Sequence, residues 1–261
     1  MVVSRNPGGR KIKRTARAFL LAALALGLGQ GGGWAQEKAS FQLWSNFTLG
    51  HTQSHRLYFE LDTEPKIQAS GTDAFRNIDL TPAVEYYPCE WIDLTGEATA
   101  GFTKQNAGVN SFEYTGRVGI RVHLLSSDRK KVFPKRKMLG RIVLANFTRL
   151  EYRNFAYSGD TPTSHEWRLR DRLEFKYPLN RARMSLPKTL YFSMDAEAFV
   201  PLSERAPETF ASKFRVRAGF GFRHSETWRA EVFYIRDWAH NTFSQFENNV
   251  NAVDLRFQLF F

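Results

Sequence analysis

Apolar residues occupy every second position in the last stretch of the chain. Val253, Leu255, Phe257, Leu259 and Phe261 alternate with Asp254, Arg256, Gln258 and Phe260. A period of two is the signature of a β-strand with one apolar face. The same alternation recurs upstream, over 41–49, 57–62, 78–86, 92–103, 112–124, 139–153, 165–177, 190–198, 213–223 and 228–238. Eleven runs are visible, and no segment of useful length has a helical period. Pro and Gly fall almost entirely between the runs or at their ends, as strand punctuation requires.

The run 165–177 fixes which face looks where. Trp167, Leu169, Leu173, Phe175 and Tyr177 share one side, and Glu166, Arg168, Arg170, Arg172, Glu174 and Lys176 the other. An Arg turned to lipid at the middle of a membrane barrel costs roughly 2–4 kcal/mol. Three of them would cancel the stability of a typical domain, so in a membrane barrel the Arg face must look inward. Two irregularities stand out. Asp171 falls on the apolar side, and Asn146, Phe147 and Thr148 break the alternation of their run; a β-bulge is expected at each.

The first 35 residues alter the meaning of the charge. The chain of 261 residues has a formal charge of +11, but this stretch holds six Arg or Lys and no acid. Without it the charge is near +5, which removes the case for a nucleic-acid partner. A basic segment to Arg17, an apolar run from Ala18 to Leu28 and a small-residue stretch ending at Ala35 fit a cleaved secretory signal. The apolar run is too short to span a bilayer as a helix. One cysteine, Cys89, precludes an internal disulfide.

Signal 1–35 followed by strands over 36–261 predicts an exported, single-domain, antiparallel up-and-down transmembrane β-barrel of the bacterial outer membrane. A chain ending on Phe, with Phe257, Leu259 and Phe261 on one face, resembles the terminal strand that the barrel assembly machinery reads. That machinery and outer-membrane lipid are the expected partners. Bacterial single-chain barrels have even strand counts, so eleven visible runs predict about twelve strands, with ten as the alternative.

The leader, a short first strand carrying Trp44, Arg-Leu-Glu-Tyr-Arg at 149–153 and Arg-Leu-Arg-Asp-Arg-Leu-Glu-Phe at 168–175 together resemble an uncharacterised bacterial outer-membrane family, a domain of unknown function numbered 2490. The likeness covers roughly residues 41–261. It implies the fold and the location, and it brings no activity or substrate.

The inward parity collects the candidate chemistry. Glu97, Arg117, Arg121, Arg149, Glu151, Arg153, Arg168, Arg170, Arg172, Glu174, Asp195, Glu197, Arg215, Arg217, Glu231 and Arg256 are expected to line the lumen, together with Arg56, Glu60, Glu85, Arg223 and Asp254. Such a lining makes either a narrow pore or binding cavity that favours small anionic solutes, or a closed barrel whose interior is filled by salt bridges. A lipid-modifying enzyme is the remaining class. It needs a His and a Ser poised together, and the six histidines are dispersed, with Ser164–His165 and His224–Ser225 on opposite strand faces. Neither a catalytic site nor a metal or cofactor site is expected.

Overall fold

The computed structural model describes residues 40–68, 75–105, 110–126, 141–159, 162–203, 211–240 and 247–261. Eleven strands follow one another: β1 (Ser40–Ser54), β2 (Leu57–Gln68), β3 (Phe75–Cys89), β4 (Ile92–Gln105), β5 (Ser111–Leu125), β6 (Val143–Tyr157), β7 (Ser164–Pro178), β8 (Thr189–Pro201), β9 (Ala211–Arg223), β10 (Trp228–His240) and β11 (Glu247–Phe260). Each pairs with its successor, and β1 pairs with β11 to close a barrel. Residues 1–35 and 127–138, the expected leader and most of the basic loop, lie outside the described residues.

Eleven strands running alternately up and down leave the first and last pointing the same way. The closing pair is therefore parallel, from Ser40↔Val250 to Gly50↔Phe260 without a register shift. This corrects the expected count of about twelve, or ten, and the expectation of a wholly antiparallel sheet. Closure did not need an even number. A parallel ladder is slightly weaker per residue, but the C-terminus extends this one. Phe261 donates its N–H to the Gly50 carbonyl at 3.0 Å, and Thr52 donates to the Phe261 carbonyl at 3.2 Å.

Two prolines lie well inside strands, contrary to the punctuation read from the sequence, and a third, Pro88, is the penultimate residue of β3. Pro65 falls within β2, which continues to Gln68, and Pro82 falls within β3. Proline has no N–H to give the ladder, and each interrupts one pairing. The β1–β2 register skips from Trp44↔Lys66 to Phe47↔Thr63, and the β3–β4 register from Leu80↔Ala100 to Ala83↔Glu97. Their opposite neighbours still pair, at Pro65↔Ile78 and Leu61↔Pro82.

The apolar set faces out along the wall. Phe47 is 50% exposed, Val118 62% and Leu259 52%, whereas Glu151, Glu197 and Asp254 on the inner parity are 0% exposed. The expected bulges at Asn146–Thr148 and Asp171 are absent. Arg149↔Arg170, Thr148↔Asp171 and Phe147↔Arg172 follow in unbroken register, so Phe147 points in while Asn146, Thr148 and Asp171 point out. Arg56 is also corrected: it sits in the turn between β1 and β2, not in the lumen. On β10 parity holds but polarity does not, because the inward set of Glu231 and Asp237 also contains two apolar residues. Phe233 and Ile235 point in and form a small buried cluster with Trp44 and Ala252.

Candidate functional site

The inward side chains enclose one cavity of about 780 Å³. At the end that carries Phe261 it is lined by Thr52, Tyr87, His123 and Val143, and at the other by Thr103, Ser111 and Tyr157. These residues lie at or near the ends of their strands, so the cavity runs the length of the barrel. Alternation places the lining. On β7, for example, Arg168, Arg170 and Arg172 project to one side because the pleat returns every second residue to the same face.

Many of the lumen residues expected from the sequence meet around two carboxylates, with smaller pairs beside them. Glu151 on β6 accepts from Arg168 at 2.6 Å and from Arg170 at 2.8 Å, and Arg117 approaches it at 3.2 Å. Glu197 on β8 accepts from Arg170 at 2.7 Å and from Arg149 at 3.4 Å, with Arg217 at 3.8 Å and Arg215 at 3.9 Å. Arg149 also donates to both oxygens of Glu97 at 3.1 Å. Around this centre Arg217 pairs with Asp195 at 2.8 Å, and Arg153 with Glu113 at 2.9 Å. Nearer the Phe261 end, Arg121 lies 3.2 Å from Glu85 and 3.8 Å from Glu174, which also takes Arg172 at 2.5 Å. Glu231 accepts from Tyr191 at 2.5 Å, and Arg256 donates to Asp254 at 2.7 Å.

Two inward aromatic rings organise the guanidinium groups. Arg121, Arg149 and Arg172 stand 4.3, 4.8 and 5.3 Å from the centre of Phe147. Arg170, Arg168 and Arg215 stand 4.8, 5.0 and 5.3 Å from the centre of Phe199. Each ring offers its negative face to the cations around it. The sequence reading missed both rings. Phe147 was treated as an interruption, although strict parity puts it inward with Arg149 and Glu151.

The sequence reading placed Glu60 and Glu85 inward but did not gather them, with Asp62, Glu64 and Asp79, into a second wall. Glu60, Asp62 and Glu64 descend β2, and Asp79 and Glu85 lie beside them on β3. Tyr58 donates to Glu60 at 2.9 Å, Tyr87 to Glu85 at 2.6 Å, Thr48 donates to Asp62, and Lys66 bridges Glu64 and Asp79 at 3.3 and 3.0 Å. In the order of the barrel, β2 and β3 lie half a circuit from β7 to β9, which carry Arg168, Arg170, Arg172, Arg215 and Arg217. The lumen is thus not a positively charged tube. It has a mainly acidic wall facing one on which Arg168, Arg170, Arg172, Arg215 and Arg217 outnumber the carboxylates Glu174, Asp195 and Glu197 that pair with them.

The histidines do not form the dyads considered from the sequence. Ser164 Oγ lies 3.1 Å from the Tyr157 hydroxyl, while His165 is exposed on the opposite face. His224 stacks on Trp228 with ring centres 4.7 Å apart. His123 does enter the lumen, with Nε2 2.6 Å from Asp93 Oδ2. Phe257 and Leu259, expected from the sequence to form an assembly signal with Phe261, lie on the outer wall of β11, and Phe261 lies just beyond it.

A family model described as "Protein of unknown function (DUF2490)" matches residues 41–248. The chain belongs to this family. The match spans β1 to β10 and reaches the start of β11, so it contains both the Glu151–Glu197 centre and the acidic wall. No curated protein matches the sequence. Among solved structures, this DUF2490 chain is similar to the translocator domain of the autotransporter NalP from Neisseria meningitidis. The two are 12% identical with a TM-score of 0.40, over 89% of this chain and 92% of that one.

Proposed function

We propose that this DUF2490 protein is an outer-membrane barrel that admits small polar solutes through a narrow, charged lumen. The observation that carries this reading is the cavity lined by strand-end residues at both ends, between walls of opposite sign. The exposed apolar belt supports a hydrocarbon surround: Phe, Leu and Val side chains face out on nearly every strand, the inverse of a water-soluble barrel. The aromatic C-terminal face and the signal-like leader agree with export and assembly in the outer membrane.

The facing walls change the solute class. An excess of Arg alone would favour anions. Here carboxylates answer the guanidinium groups, and the favoured solute is small and dipolar, a zwitterion whose ends align across the bore. The role is non-enzymatic. Planar-bilayer recording with purified protein, together with liposome uptake of a zwitterionic amino acid, tests it. Small single-channel currents and uptake of the zwitterion are expected. A folded, membrane-inserted sample with neither overturns it.

One observation favours a second reading, a closed structural barrel. Glu151 and Glu197 are fully buried beneath the guanidinium groups that bind them, as a static brace would require. A silent barrel in both assays is the outcome that this alternative expects.

A further inference from the structure

At the middle of β7 the outer wall carries a group that does not suit hydrocarbon. Asp171 is the eighth of fifteen residues in Ser164–Pro178 and is exposed on the outward face. Its two carboxylate oxygens accept from Asn146 Nδ2 at 3.2 and 3.1 Å, and Oδ1 also accepts from Thr148 Oγ at 2.6 Å. The register across β6 and β7 is continuous, so no bulge has turned these side chains outward by accident. The next strand offers only methyl groups beside them: Asp171 pairs with Ala198, and Leu173 with Ala196. If the barrel spans a membrane, as the preceding reading has it, this polar set lies near the bilayer midplane. A charged side chain there is costly and marks a functional contact.

We propose that this patch is a self-association surface, on which a second copy of the chain docks across a two-fold axis. Recognition within a bilayer rests on interchain hydrogen bonds and on small residues that let backbones approach, and the patch supplies both. The set is self-complementary. Asn146 has two amide N–H groups; its Nδ2 reaches both oxygens of its own Asp171, which one forked N–H can do, and in the paired state the other turns to the Asp171 of the second copy. Asp171 Oδ2, with Asn146 as its donor, has lone-pair capacity for that bond. Across a two-fold axis the contact occurs twice, as an isologous interface requires. Ala196 and Ala198 leave room for the facing wall. A partner presenting a lone Lys or Arg would satisfy the carboxylate but would leave the Asn146 amide and its neighbouring alanines unused.

The test uses the full-length protein in membranes. With Cys89→Ser as background, Thr148→Cys on the patch is compared with Leu61→Cys, which is outward on β2. Oxidation is expected to link Thr148→Cys into a species with the mass of two chains and to leave Leu61→Cys single. In detergent, the double variant Asn146→Ala/Asp171→Ala is expected to raise the dimer dissociation constant about tenfold, the scale of lost hydrogen bonds between membrane segments. It should keep the heat-dependent gel shift of a folded barrel. A monomeric wild type, a dimer indifferent to the double variant, or linkage of Thr148→Cys to a different polypeptide each overturns the proposal. Fractionation is read first and separates the two ideas. A wild-type chain left in the aqueous phase sinks the membrane reading and the pairing with it, whereas a membrane-inserted monomer sinks only the pairing.

Discussion

Phe47 and Phe257 stack on the outer wall with ring centres 5.8 Å apart and an interplanar angle of 16°, as direct partners in the one parallel pair among the described strands. This contact sits on the unusual feature of the closure, the seam along which the first and last strands run in the same direction. Had the barrel closed with an even count, the two rings would belong to strands running in opposite directions.

The seam can therefore be locked. In a Cys89→Ser background, Phe47→Cys with Phe257→Cys is expected to form an intramolecular disulfide, since directly paired strand residues bring their Cβ atoms within bonding range. Boiled, unreduced protein should then migrate differently from reduced protein. Shifting one partner to Leu255 should abolish the effect, because Leu255 pairs with Ser45.

Glu197 is a heavily shared acid of the lumen, within 4 Å of Arg149, Arg170, Arg215 and Arg217. Removing one partner from a buried ion pair leaves uncompensated charge and costs about 3–5 kcal/mol. Glu197→Ala is expected to lower sharply the temperature at which the folded gel band disappears. A change equivalent to less than about 1 kcal/mol, the worth of an exposed pair, would mean that the network does not brace the barrel.

The acidic wall should control selectivity. Glu60 and Asp62 bond to Tyr58 and Thr48, and among the described residues no cation stands within 4 Å of either. If the barrel conducts as proposed, neutralising them as Glu60→Gln/Asp62→Asn is expected to shift its reversal potential toward anion selectivity, with folding intact. An unchanged reversal potential would remove the two-wall account of the lumen.

Gly221 gives a packing test. A Cβ built there would lie 2.2 Å from the ring of Tyr191, which is 1% exposed and delivers its hydroxyl to Glu231. Gly221→Val should destabilise the folded barrel by at least the 1–3 kcal/mol typical of overpacking, read from the same melting gel. Tyr191→Ala in combination should recover part of the loss. Failure to recover would point to backbone strain at 221 instead of the ring.

Much of the architecture was legible from alternation because a pleated strand has a period of two whatever surrounds it. Phe41 to Leu49, Trp167 to Tyr177 and Val253 to Phe261 declared their apolar faces, and Arg168, Arg170 and Arg172 declared an inner face. The same rule, applied more strictly, would have placed Phe147 inward and Asp171 outward. Both were treated as faults because each violated polarity, and a bulge was the local remedy. Pro65 ended β2 too early, and Glu64 and Lys66 went missing with it. The β1–β2 ladder skips its pairing at the proline, and the strand continues beyond it.

By itself, the sequence determined which residues share a face and that the chain makes a series of strands, since both follow from spacing along one segment. Only the tertiary structure decided the number of strands in the closed sheet, the parallel seam and the meeting of Glu151 with Arg168 and Arg170. It alone set the acids of β2 and β3 against the guanidinium groups of β7 and β9. Those relations depend on which segments become neighbours around a circle, and a period of two carries no information about the far wall.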